Sequence, residues 1–168
     1  MKAVFSFFIA LLVTNISFGQ DAIEKLFKDY QNNEDFKVVY VAPKMFQMVA
    51  KMTSDSDQNE FKDIVKDLKG LRILSTEKNA PQVYKESNRR LSVTGYEELI
   101  TVKDKDQNIR FVTKETNGNI TELLLLVGEE KDFTMISFVG NIDLNKISKL
   151  ASKLNIEGAE HLDKVKKK

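Results

Sequence analysis

An α+β fold is the class this sequence predicts: a mixed or antiparallel sheet that includes a four-stranded meander over about residues 96–139, packed with roughly four to six helices. Three observations predict it. From Tyr96 to Val139 the apolar residues follow period two in four runs, joined by hairpin-sized connections. On either side of that stretch apolar residues recur at helical spacing. The two patterns are segregated rather than strictly alternating, which separates α+β from α/β.

Asp21 to Gln31 predicts the first helix, with Ile23, Leu26, Phe27 and Tyr30 at helical spacing and Asp21 as its N-cap. Phe36 to Val41, rich in valine and aromatics, predicts a strand. Pro43 suits the first turn of a second helix, whose wide apolar stripe is Met45, Phe46, Met48, Val49 and Met52. Thr53 to Gln58 is a polar break. A third helix follows with Phe61, Ile64, Val65 and Leu68 on one face and Gly70 as its C-terminal stop. Leu71 to Leu74 predicts a short strand, and Pro81 opens a helix carrying Val83, Tyr84 and Leu91.

The meander strands are expected at Tyr96–Val102, Ile109–Lys114, Ile120–Val127 and Phe133–Val139. Asn117-Gly118 is a favoured pair for a type I′ turn between the second and third. After Gly140, Asp143 caps a last amphipathic helix with Leu144, Ile147, Leu150, Ala151 and Leu154 on its buried face. Gly158 ends it, and a short basic helix closes the chain. The third and fourth meander strands are apolar on both faces. Leu123, Leu125 and Val127 oppose Leu124 and Leu126, while Ile136 and Phe138 oppose Met135 and Val139. Such strands are covered on both sides, either by helices or, on one face, by a partner subunit.

The first nineteen residues follow the pattern of an export signal. Lys2 supplies the positive start, Ala3 to Val13 the apolar stretch, and Ser17-Phe18-Gly19 places small residues at the −3 and −1 positions of a cleavage site. The apolar run is shorter than the roughly 20 residues a membrane-spanning helix needs. The expected organisation is a signal peptide at 1–19 and one domain at 20–168. Removing nineteen of the 168 residues leaves 149, enough for a single core. Lys2 is the one charge lost, so 25 basic and 25 acidic residues remain. A balanced chain lacks the basic face that nucleic acid requires.

With no cysteine, disulfides, thiolate metal sites, cysteine nucleophiles and a lipid-anchored cysteine are all excluded. The expected location is therefore periplasmic or secreted, without a lipid anchor and without stable membrane insertion once the signal is removed. Leu123 to Val127 is the longest solid apolar run after the signal, and it is strand-sized.

Catalytic and metal chemistry finds little footing. His161 is the single histidine, so neither a histidine pair for zinc nor a Ser-His-Asp arrangement with a spare base exists. Asp55-Ser56-Asp57-Gln58-Asn59 and Asp104-Lys105-Asp106-Gln107-Asn108 both open like an EF-hand loop, but Glu60 and Ile109 stand where the sharp turn needs glycine. They are read as a helix-capping loop and a hairpin tip. Gly140-Asn141-Ile142-Asp143 has one glycine, no phosphate-binding lysine and an acid at the helix start, so it is a cap rather than a phosphate loop. Glu97 and Glu98 are strand neighbours that point to opposite faces. The lysines at 164, 166, 167 and 168 form a basic end able to touch an anionic surface, or a solvated tail. The candidate partner surface is the stripe Met45, Phe46, Met48, Val49 and Met52, since methionine adapts to varied apolar partners. The competing reading of that stripe is core filling.

Several segments taken together resemble a known group. They are the start ending Ser17-Phe18-Gly19-Gln20, the strand Val38-Val39-Tyr40-Val41 running into Pro43-Lys44-Met45-Phe46, Met135-Ile136-Ser137-Phe138-Val139-Gly140-Asn141-Ile142-Asp143-Leu144, and Ile156-Glu157-Gly158-Ala159-Glu160-His161-Leu162. This set resembles small exported proteins of Bacteroidetes classed as domain of unknown function 4252, across nearly the whole chain after the signal. The motifs are structural, so the resemblance implies no activity, cofactor or catalytic residue; it suggests a role in envelope signalling or stress. The functional expectation is an exported, non-enzymatic domain that binds an envelope component or protein, with no cofactor and no metal. Two alternatives stand beside it: a carboxylate-only hydrolase of envelope glycans, and a structural homodimer joined through one sheet face.

Overall fold

A computed structural model describes residues 22–52 and 62–153. The export pattern at 1–19, the Asp55–Asn59 fragment, His161, the break at Gly158 and the terminal lysines therefore lie outside the described residues. The elements in order are α1 (Ala22–Tyr30), β1 (Lys37–Val41), α2 (Pro43–Met52), α3 (described at 62–65), β2 (Leu68–Thr76), α4 (Ala80–Leu91), β3 (Glu97–Lys103), β4 (Gln107–Thr116), β5 (Asn119–Glu129), β6 (Phe133–Gly140) and α5 (Leu144–Lys153). The fold is α+β. Among the described residues no helix is long and apolar enough to cross a membrane.

One open sheet has the order β1-β2-β6-β5-β4-β3, every neighbouring pair antiparallel. The meander β3 to β6 forms four consecutive strands of it, as the period-two runs predict. Asn117 and Gly118 both take positive φ, 54° and 76°, which is what a type I′ turn demands of both central residues. Asp104, Lys105 and Asp106 form the tip between β3 and β4, closed by the Asp104 amide donating to the Gln107 carbonyl at 2.9 Å.

Beyond the meander, β2 inserts between β1 and β6. Here the structure corrects the sequence: Leu68 and Gly70 belong to β2, not to the end of the third helix, and the strand runs to Thr76 rather than stopping at Leu74. Leu68 pairs with Gly140 and Gly70 with Val139, so the ladder to β6 claims them. Gly70 is an extended glycine rather than a helix stop, and its bare Cα takes the edge of Tyr40: a β-carbon there would lie 3.5 Å from Tyr40 Cε2.

Each face of the sheet has its own core. Leu71, Ile109, Phe111, Leu123, Leu125, Ile136 and Phe138 pack with Phe46 of α2, Ile64 and Val65 of α3 and Ile147 of α5. Leu74, Val112, Leu124, Leu126, Phe133 and Met135 pack with Ile23, Leu26 and Phe27 of α1 and Ala80, Val83 and Leu91 of α4. The doubly apolar strands are thus covered by helices on both sides, the arrangement their composition calls for. Asp143 caps α5, its Oδ1 accepting from the amides of Asn145 at 2.9 Å and Lys146 at 3.4 Å.

Candidate functional site

The five residues of the predicted stripe do not act as one surface. The α2 helix lies against β2 and turns Phe46 inward, where it is 8 % exposed and part of the core. Val49 is half-buried. Met45 and Met48 face outward at 51 % and 46 % exposure. Of Met52, α2's last residue, the backbone is described and the side chain is not. The stripe is therefore partly core and partly surface, and the two readings of it divide residue by residue.

What the sequence did not single out is that β1 is exposed as well. It is a sheet-edge strand, and Val39 and Tyr40 stand 44 % and 60 % exposed. Among the described residues five large apolar side chains are exposed, the fifth being Val93 at 81 % on the turn after α4. Four of the five thus fall within residues 39–48. Val39 lies on the sheet face that α2 covers, because Val41, two residues on, packs against that core; Tyr40 lies on the opposite face with Val38. A cleft of about 320 Å³ lies between α1 and the β1–β2 end of the sheet, lined by Phe27, Gln31, Val38, Val39, Tyr40 and Arg72. The Arg72 guanidinium stands 6.0 Å from the centre of the Phe27 ring.

Two further open clefts lie at the end of the sheet where β1 begins. One, of about 300 Å³, holds Tyr30, stacked on Phe36 at 4.2 Å, together with Asn33, Asn79, Gln82 and Glu86. The other, of about 370 Å³, gathers Glu34, Asp35, Glu77 and Asp132 with Lys37 and Lys78. In it Asp35 is bound to Lys78 at 2.9 Å, and its carbonyl accepts from Thr76 Oγ1 at 2.7 Å. Glu86 is held down to about 2 by its hydrogen bonds from Arg89 and Arg90. Asp63 is likewise held to about 2 by Lys66 and Lys146, which tie α3 to α5. Ion pairing of this kind fixes carboxylates in the charged form, the opposite of what a general acid needs.

Among the described residues the most enclosed carboxylate is Glu122, 3 % exposed within β5. Tyr96 Oη and Ser137 Oγ each donate to it at 2.6 Å, from 26 and 15 residues away in sequence. Glu122 lines none of these three clefts, and its two bonds tie β5 to β6 and to the segment leading into β3. No sequence signal marks it, since its partners meet it only in the folded sheet. Among the described residues no group of three or more His, Cys, Asp or Glu is arranged to hold a metal ion.

Residues 30–150 match the family model described as a domain of unknown function (DUF4252). No curated protein and no solved structure matches the chain.

Proposed function

The chain belongs to the domain of unknown function 4252 family, and within it we propose that this protein is an exported, non-enzymatic module that binds a protein of the cell envelope through Met45 and Met48. The carrying observation is that Met45 and Met48, one helical turn apart on α2, are both about half exposed while Phe46 between them packs into the core. Single apolar residues on a surface are ordinary, whereas clustered ones mark interaction sites. Methionine adds adaptability, because an unbranched thioether side chain repacks against partners of varied shape. The export pattern of residues 1–19 supports a place outside the cytoplasm. A place in envelope signalling or stress is consistent with such a binder.

The test is affinity capture of the tagged protein after in-cell cross-linking, run beside the Met45→Glu/Met48→Glu variant. Both side chains are about half exposed, so the variant is expected to keep the wild-type circular dichroism spectrum. Capture of one dominant envelope protein, lost in the variant, is the expected result. Equal capture by both forms would remove the methionines from the interface.

A further inference from the structure

We infer that the β1 edge pairs with the β1 edge of a second copy, joining two six-stranded sheets into one continuous antiparallel sheet. This goes beyond the binding role of Met45 and Met48, and the two are tested separately.

The two edges of the sheet are built differently. β3 carries Glu97, Glu98 and Lys103 and is broken by a bulge between Glu98 and Ile100. Charges and bulges are the devices that keep an edge from pairing with another chain. β1 has the sequence Lys-Val-Val-Tyr-Val, one charge at its end, and an unbroken register of five pairs with β2. Among the described residues β1 is the outermost strand on its side of the sheet, and such an edge is a template for pairing with a further extended strand.

The second copy is the occupant that this strand fits. With a two-fold axis at Val39, Val39 meets its own twin, Val38 meets Tyr40 of the second copy, and Lys37 meets Val41 of the second copy. That register uses the whole strand and places Val39 on Val39 on one face and Val38 on Tyr40 on the other, with Lys37 and Val41 paired at the ends, the self-complementarity a two-fold interface requires. The flanks complement one another in charge. Glu34 and Asp35 lie just before the strand and Lys44 just after it, so antiparallel pairing brings the acidic flank of each copy toward the basic flank of the other.

The test is the mass of the purified protein by sedimentation over a wide dilution series, for wild type, Val39→Lys and Val39→Glu. Like charges directly opposite each other destabilise a strand pair, and opposite charges restore it. Wild type is expected at twice the single-chain mass, falling to the single-chain mass on dilution. Each variant alone is expected at the single-chain mass, and an equal mixture of the two at twice that mass. A wild type of single-chain mass throughout, or variants as dimeric as wild type, would overturn the inference. Should a variant fail to fold, hydrogen exchange on wild type decides: β1 amides slower at high concentration than at low support the pairing, and equal rates refute it. Variants at Val39 that lose the dimer yet retain the captured envelope protein separate this inference from the binding role of the methionines.

Discussion

The ring of Tyr84 lies on the bare α-carbon of Gly128: a β-carbon at that position would stand 2.4 Å from Tyr84 Cδ2 and 2.6 Å from Cγ. The same ring meets Phe133, the cross-strand neighbour of Gly128, edge-on at 6.3 Å. A missing side chain in β5 thus sets how closely α4 approaches the sheet. Gly128→Ala is expected to cost about 1–3 kcal/mol by overpacking, read by chemical denaturation. In a Tyr84→Ala background the clash is gone, so the two changes together should cost less than their sum, with a coupling of about 0.5–3 kcal/mol.

Gly140 is constrained by backbone rather than by a ring. Its φ is +149°, and a β-carbon would stand 2.2 Å from the carbonyl oxygen of Asp67. The neighbouring Asn141 amide donates to that same carbonyl at 3.0 Å. Backbone cannot swing aside as a side chain does. Gly140→Ala is therefore expected to cost at least about 3 kcal/mol and more than Gly128→Ala, measured in the same denaturation series.

Tyr96→Phe removes one donor to the buried Glu122 while leaving the aromatic ring in place. The expected loss is about 1–3 kcal/mol, again by denaturation. The ring also stands 5.7 Å from Lys114 Nζ, a contact that phenylalanine retains, so the loss is assigned to the hydroxyl. Tyr96→Leu should cost more than Tyr96→Phe. A Tyr96→Phe variant as stable as wild type would show that the hydroxyl contributes nothing.

Acid sensitivity follows from Asp63 and Glu86. Both sit near 2 in the folded protein against ordinary values of 3.8 and 4.5, through the bonds from Lys66 and Lys146 and from Arg89 and Arg90. A carboxyl whose folded pKa is depressed stabilises fully above its unfolded pKa and loses that contribution as pH falls through the folded one. Thermal stability should therefore drop between about pH 4.5 and pH 2. Because the groups face solvent, each effect is modest and weakens with salt. The Asp63→Asn/Glu86→Gln variant is expected to begin lower at neutral pH and to show a shallower drop.

The meander was legible because its information is local. Period-two runs, the Asn117-Gly118 turn and the Asp143 cap each follow from a few adjacent residues, as does the demand that Leu123 to Val127 be covered on both sides. The β2 strand was misplaced for a physical reason. Ile64, Val65 and Leu68 also fit a helical stripe, and the ladder partners that claim Leu68 and Gly70 for β2 lie some 70 residues downstream at Gly140 and Val139. The α2 stripe left two readings open, surface and core, for a different reason. When Met45, Phe46, Met48 and Val49 are all apolar, periodicity does not say which of them faces the core; the packing of Phe46 against β2 decides it. The exposure of Val39 and Tyr40 depends on β1 being an edge strand, a fact of topology rather than of composition.

The central claim is that Met45 and Met48 form the face that binds the envelope protein, and site-specific photo-cross-linking inside the cell tests it most directly. A photoreactive side chain is placed at Met48 in one form and, as a control of equal or greater exposure, at Val93 in another. The account predicts a discrete cross-linked product from position 48 and none from position 93. No product from position 48, or the same products from both positions, would contradict it.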